Sequence, residues 1–238
     1  MFPHLLNVRD LGGYSTVDGG TTRHGSLLRA DDLAQLSSEG LAALAAYGIE
    51  TVLDLRWPQE IAAAPSPIPG QLPRVRYVSV SLLTESPADW GALGGYCAKE
   101  QWKCTVLERL QPQLKRALEA IAAAAPGPLL FHCVAGKDRT GVIAALLLAL
   151  ADVVPRAIAA DYAASTGNLR EAYLSRYRDQ DRDHIVEAVR CPEDAVHNML
   201  EYLDRAGGTQ AYLRGIGLKT AAITALRARL RDVTTAGR

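Results

Sequence analysis

The chain has 238 residues, 48% hydrophobic and 22% charged, which suits one large globular domain and excludes a low-complexity or disordered chain. Lys+Arg and Asp+Glu each number 26, so bulk charge draws neither nucleic acid nor a membrane surface, and any anion must be recognised locally. Four cysteines (Cys97, Cys104, Cys133 and Cys191) are too few for a disulfide scaffold and read as thiols of a reducing compartment.

The opening MFPHLLNVRD carries no leader pattern, so a cytoplasmic location is the expectation. Residues 26–30, SLLRA, predict a short strand. A helix is predicted over 37–48, with a serine cap, helical apolar spacing and a closing Gly48. IETVLDL (49–55) reads as a strand, PSPIPGQLP (65–73) as a proline-rich loop, and RVRYVSV (74–80) as an alternating strand. Residues 97–125 predict helix with a break or kink near Pro112. PLLFHC (128–133), apolar on both faces, predicts a buried central strand, and 140–151 a helix. The apolar run at 142–151 is shorter than the about 20 residues of a membrane span, so no stable insertion is expected.

Beyond residue 152 the pattern is helical. PRAIAADYAAS, NLREAYLSRYRD, PEDAVHNMLEYLDRA and LKTAAITALRARL read as separate helices. Strand and helix alternate over 1–152, and a helical layer or lid follows over 153–238. This predicts a single α/β domain, a central sheet flanked by helices.

The chemistry is concentrated in FHCVAGKDRTG, 131–141, between the central strand and a helix. There the backbone N–H groups of 134–139 can turn inward as a cup of donors, backed by the positive helix end. That cup, formed by Val134, Ala135, Gly136, Lys137, Asp138, Arg139 and Thr140, suits a phosphate, with the planar Arg139 fork gripping two oxygens. Helix N-termini and cations lower a thiol's pKa from about 8.5 to about 3.5–7.5, so Cys133 is expected to be an activated nucleophile beneath the phosphorus. Thr140 is placed to donate to its sulfur, and His132 to hold the loop through backbone carbonyls. Lys137 is expected at the rim, favouring multiply phosphorylated or acidic substrates.

HCVAGKDRTG resembles the signature of cysteine-dependent phosphatases, and more closely that of the atypical bacterial tyrosine phosphatase family. NVRDLGGY (7–14), GSLLRADDL (25–33), VLDLRWPQE (52–60), DYAASTGNL (161–169) and GGTQAYLRGIGL (207–218) are similar to other segments of that family. The resemblance covers most of the chain. It implies a cysteine-phosphatase-like fold and a phosphocysteine intermediate with no cofactor and no metal. Its implied substrates are a phosphorylated protein (phosphotyrosine, or phosphoserine and phosphothreonine) or a phosphoinositide. It also implies that export without a recognisable leader occurs among relatives. The leaving oxygen needs a proton. The sequence offers Trp57-Pro58-Gln59 where many tyrosine phosphatases carry an acid loop, and Gln59 is no acid. The resemblance gives that role to Asp138 inside the reactive turn, with Asp54 and Asp89 as weaker candidates.

Other assignments are set against ordinary ones. Asp54 and Arg56 end a strand and either support the site or fix the loop by a salt bridge. Arg9 and Asp10 are expected to hold the turn at Gly12-Gly13. Tyr173, Arg176 and Tyr177 share a helical face that either packs or looks into the site. His4, His24, His184 and His197 lack metal-ligand spacing, and Cys97, Cys104 or Cys191 would protect Cys133 only if one lay close by. A rhodanese-like sulfurtransferase and a non-catalytic phospho-binding module are the competing functions. Asp138 and the loop spacing argue against the first, and the presence of both Cys133 and Arg139 against the second.

Overall fold

In the computed structural model, which describes residues 2–84 and 100–231, strands β1 (Arg9–Asp10), β2 (Leu27–Ala30), β3 (Thr51–Asp54), β4 (Arg76–Ser79) and β5 (Leu129–His132) form one sheet. Its order is β1-β2-β5-β3-β4, with β1 antiparallel to β2 and the remaining neighbours parallel. β5 is therefore central, as its two-faced apolarity requires. Leu129 and Phe131 enter one core and Leu130 the other, following the two-residue period of a strand. The register aligns Ala30 and Asp54 with His132, so β2, β3 and β5 end together at one sheet edge. Ligands gather at that edge in parallel sheets.

Helix α1 (Ser38–Tyr47) is capped by the Ser37 side chain on the Gly40 N–H and closed by Gly48 at φ +82°. Its apolar face and that of α3 (Ile68–Gln71) cover the smaller core, with Leu28, Val52 and Leu130. The short helix α3 stands where the prolines predict a loop. Proline is compatible with the first helical turn, where its missing N–H has no intrahelical acceptor. Helix α2 (Pro58–Ala63) also begins on a proline and follows β3 directly.

The larger core lies on the opposite face. Helices α4 (Trp102–Arg109) and α5 (Gln111–Ala122) break at Leu110, with Pro112 in the first turn of α5. The predicted helix start at 97–99 falls outside the described residues. Helix α6 (Asp138–Leu150) runs from the reactive turn and is almost wholly buried. Two predicted helices merge into the single 22-residue α7 (Pro155–Arg176), because Gly167 sits inside it without breaking it. Helices α8 (Arg182–Val189), α9 (Asp194–Arg205), α10 (Thr209–Gly215) and α11 (Thr220–Leu230) complete the helical layer. Among the described residues no helix is long and apolar enough to cross a membrane.

Candidate active site

The turn from Cys133 to Asp138 leaves β5 at the aligned sheet edge and enters α6. Gly136 has φ +63°, and a Cβ there would lie 2.4 Å from the Ala30 carbonyl oxygen. Glycine is therefore required twice, by the left-handed backbone and by the close approach of β2.

The loop's carbonyls are tied to surrounding elements. Val134 O accepts from the Asp32 N–H at 2.9 Å. Ala135 O accepts from Asn7 Nδ2 at 2.9 Å, and Gly136 O from Arg29 Nη2 at 2.7 Å, with Lys137 O at 3.3 Å from the same nitrogen. In a trans peptide the N–H points opposite to the C=O. Fixing these carbonyls on neighbouring elements leaves the N–H groups of 135–138 directed to the opposite side of the turn.

Arg29 is itself held. It is fully buried and pairs through Nη1 with Asp161 on α7. Arg9 donates to Asp161 Oδ1 at 2.7 Å and Ser165 Oγ at 3.0 Å, and the Tyr14 hydroxyl reaches Asp161 at 2.9 Å. Burial opposes ionisation of Asp161, but Arg29 and Arg9 outweigh it and hold the carboxyl below the usual range. Arg9 thus buttresses the reactive loop rather than the glycine turn. Asp10 does hold that turn, accepting from the N–H groups of Gly12 and Gly25.

On the open side Arg139 is clamped by Glu60 of α2, its Nη1 and Nη2 donating to the two carboxylate oxygens at 2.5 and 2.9 Å. Glu60 also accepts the Trp57 N–H at 2.7 Å, so the helix start and the guanidinium are fixed by one carboxylate. Burial works against ionised Glu60, but the Arg139 fork more than offsets it and keeps the carboxyl low. Burial likewise opposes the Arg139 charge, whereas Cys133 and Glu60 raise its pKa. Cys133, at the start of the turn, is 2% exposed.

Asp54 and Arg56 do form a salt bridge, with Arg56 Nη2 2.7 Å from Asp54 Oδ2. Tyr77 donates to the same oxygen at 2.6 Å, and Arg56 reaches Asp32 at 2.8 Å. His132 lies beside them, its Nε2 3.5 Å from Asp54 and its Nδ1 3.1 Å from the Cys133 carbonyl. Burial opposes Asp54 ionisation, but His132, Arg56 and Tyr77 keep its carboxyl low, while burial pushes the His132 imidazole down. The group fixes the start of the loop from below. Asp54 is fully buried, with its oxygens occupied by Arg56 and Tyr77.

Asp138 opens α6 with its side chain 36% exposed. It accepts the Tyr162 hydroxyl at 3.1 Å, and Lys137 Nζ lies 3.4 Å away. Lys137 itself points inward, donating to the Ala188 carbonyl at 2.6 Å, so α8 engages the ammonium that the sequence places at the rim. The Thr140 hydroxyl is buried without a hydrogen-bond partner among the described residues. Tyr173 and Tyr177 pair with ring centroids 5.7 Å apart. Tyr173 is pushed up to about 12 by burial, then by Tyr177 and Cys133. Asp89 and Cys97 lie outside the described residues, Cys104 is half-buried on α4, and the Cys191 thiol is buried. Among the described residues no His, Cys, Asp and Glu group is arranged to hold a metal ion.

Sequence reasoning gave no role to Glu60, Arg29, Asn7, Asp161 or Tyr162. All five stand in segments singled out above: Asn7 opens NVRDLGGY, Glu60 closes VLDLRWPQE, Arg29 lies in GSLLRADDL, and Asp161 and Tyr162 open DYAASTGNL. The signal was present as polar residues within those segments, but partners 24 to 132 positions apart are not visible without the fold.

The turn and its supports bring together one oriented guanidinium, a buried sulfur and a partly exposed carboxyl, the groups that phosphoryl chemistry uses. Residues 1–232 match the model of a family described as the tyrosine phosphatase family. A tyrosine-protein phosphatase of Nostoc commune is 33% identical over 226 residues, covering 86% of this chain and 74% of that protein. The triple specificity protein phosphatase PtpB of Mycobacterium tuberculosis is 27% identical over 274 aligned positions, covering 94% and 96% respectively. The crystal structure of P. aeruginosa TpbA aligns with 69% of this chain and 86% of its own, at 24% identity and a TM-score of 0.32.

Proposed function

The chain belongs to the tyrosine phosphatase family, and from that premise we propose the part each residue plays in its chemistry. The enzyme is a cysteine-dependent protein-tyrosine phosphatase. In our reading the Cys133 thiolate attacks phosphorus, forming the S–P bond as the bond to the leaving oxygen breaks. Asp138 gives that oxygen its proton and is left as a carboxylate. Asp138 then takes a proton from water as the water oxygen attacks phosphorus, the S–P bond breaks, and inorganic phosphate leaves with the thiolate restored.

Arg139 and the amides of 134–139 bind the non-bridging oxygens through both steps. Because these donors are fixed beforehand, they need no reorganisation when charge spreads over the oxygens. The observation that carries the reading is one short turn that holds buried Cys133, Arg139 clamped by Glu60, and backbone carbonyls tied to neighbouring elements. Placing nucleophile and acid on one turn also removes the need for a separate mobile acid loop, consistent with Gln59 in the Trp-Pro-Gln segment.

Phosphotyrosine is the substrate we assign first, with phosphoserine and phosphothreonine next. The mycobacterial relative is named a triple specificity phosphatase, and phosphoinositides belong in the same substrate panel. Cytoplasmic action is our assignment. Purified protein should release phosphate from p-nitrophenyl phosphate without added metal, and Cys133→Ser should lower the rate below detection. Turnover surviving in that variant would refute the mechanism.

A further inference from the structure

Lys103 of α4 takes no part in the chemistry above. Its side chain is fully buried, and its Nζ has no hydrogen-bond partner among the described residues. That nitrogen lies 3.5 Å from the centre of the Tyr162 ring and 5.7 Å from that of Trp102. The Tyr162 hydroxyl, at the far end of the same ring, donates to Asp138 Oδ1 at 3.1 Å. A side chain on Gly141 would intrude, since its Cβ would stand 3.2 Å from Nζ and 3.0 Å from the Tyr162 ring. The first turn of α6 thus leaves the ammonium its slot.

The charged and titratable groups around Lys103 come from several elements. They are Asp138 and Lys137 at the start of α6, Arg29 on β2, Tyr162 on α7 and Cys191 after α8. Burial pushes the Lys103 ammonium down to about 7, and Asp138 is the strongest influence opposing that fall. Burial also pushes up the Cys191 thiol, which favours its neutral form. Filling the volume does not require a lysine, because methionine occupies similar space without burying a charge.

We propose that Lys103 is a positioning residue for Asp138: while protonated it stands behind the Tyr162 ring and stabilises the carboxylate that Asp138 becomes on giving up its proton. A cation on the face of a phenol draws density from the ring and sharpens its hydroxyl as a donor. The Tyr162–Asp138 hydrogen bond therefore conveys the charge of Lys103 to the carboxyl. Turnover then follows the protonation state of a lysine that touches neither substrate nor sulfur. The inference rests on the acid–base role given to Asp138 above.

Two measurements test it. The first titrates the Lys103 ammonium by NMR in lysine-labelled protein, which has only five lysines to assign. The midpoint should lie near 7 in the parent chain and fall in Asp138→Asn, which removes the opposing carboxylate. The second compares pH profiles for phenyl phosphate, whose leaving group needs a proton. The parent kcat should decline on the alkaline side of about pH 7. Lys103→Met should lose that decline and show kcat at pH 6 about tenfold lower, with KM within about twofold. An identical Lys103 midpoint in both proteins, or a Lys103→Met profile superimposed on the parent, would overturn the proposal. The Asp138 reading fails separately, if Asp138→Asn turns over phenyl phosphate at the parent rate. The NMR titration in that variant still decides whether the two groups are coupled.

Discussion

Of the three fully buried cations beside the reactive turn, Arg29, Arg56 and Lys103, the first and the last are held in opposite ways. Arg29 is paired with Asp161 and spends its other Nη on the loop carbonyls. Lys103 has an aromatic face beneath it and no acceptor at all among the described residues. A buried charge with satisfied partners holds a structure in register, whereas one without them destabilises the fold. Arg29 therefore shapes the loop. Lys103 makes sense only where its charge does something other than stabilise.

Breaking the compensated side should have the largest effect. Asp161→Asn leaves Arg29 and Arg9 without their common counter-charge and should lower stability by about 3–5 kcal/mol, read from urea denaturation. The same carboxyl gives a pH signature. Its folded value is depressed, so its contribution is full above the ordinary carboxylate range. It is lost as pH falls through the lower folded value. Acid should therefore narrow the difference between parent and Asp161→Asn.

The uncompensated side should respond with the opposite sign. Lys103→Met should raise stability at pH 6, by about 1–4 kcal/mol. The folded ammonium titrates near 7, below its ordinary 10.5. The unfolded chain thus binds more protons between those values, and parent stability rises with pH across that window. The advantage of the methionine variant should shrink from pH 7 toward pH 10 and be largest below 7. A variant less stable than the parent at pH 6 would contradict the contrast between the two cations.

The smallest stability effect is expected at the clamp. Glu60→Gln keeps the shape of the side chain and the chance of one hydrogen bond to Arg139, so stability should change by less than about 1 kcal/mol. Phosphate turnover should nevertheless fall about 10–100-fold, because the guanidinium loses its fixed orientation. Unchanged kcat/KM would show that the loop alone orients Arg139.

Much of the fold was legible because its signals are local. β5 announced itself by apolarity on both faces, α1 by Ser37 and Gly48, and α6 by the run of small and branched residues after the turn. The errors came where local rules meet packing. Ile68–Gln71 forms a helical turn despite its prolines, and Gly167 does not interrupt α7, since neighbouring elements supply what local preference withholds. At the site the reactive turn could be read residue by residue, but its supports could not. Arg29 meets Gly136 across 107 positions and Arg139 meets Glu60 across 79, distances that no periodicity encodes. Lys137 shows the converse limit: its place in the turn was evident, but its direction was set by the Ala188 carbonyl of a distant helix.

At 22 residues, α7 is a rod roughly 33 Å long. Near one end it carries Asp161, which anchors the rear of the turn, and Tyr162, which grips the carboxyl at its front. Near the other it carries the Tyr173–Tyr177 ring pair, half-buried at the surface. Asp161 and Tyr162 are consecutive residues on one unbroken helix, so the rear anchor and the front grip cannot part from each other without unwinding a turn of α7.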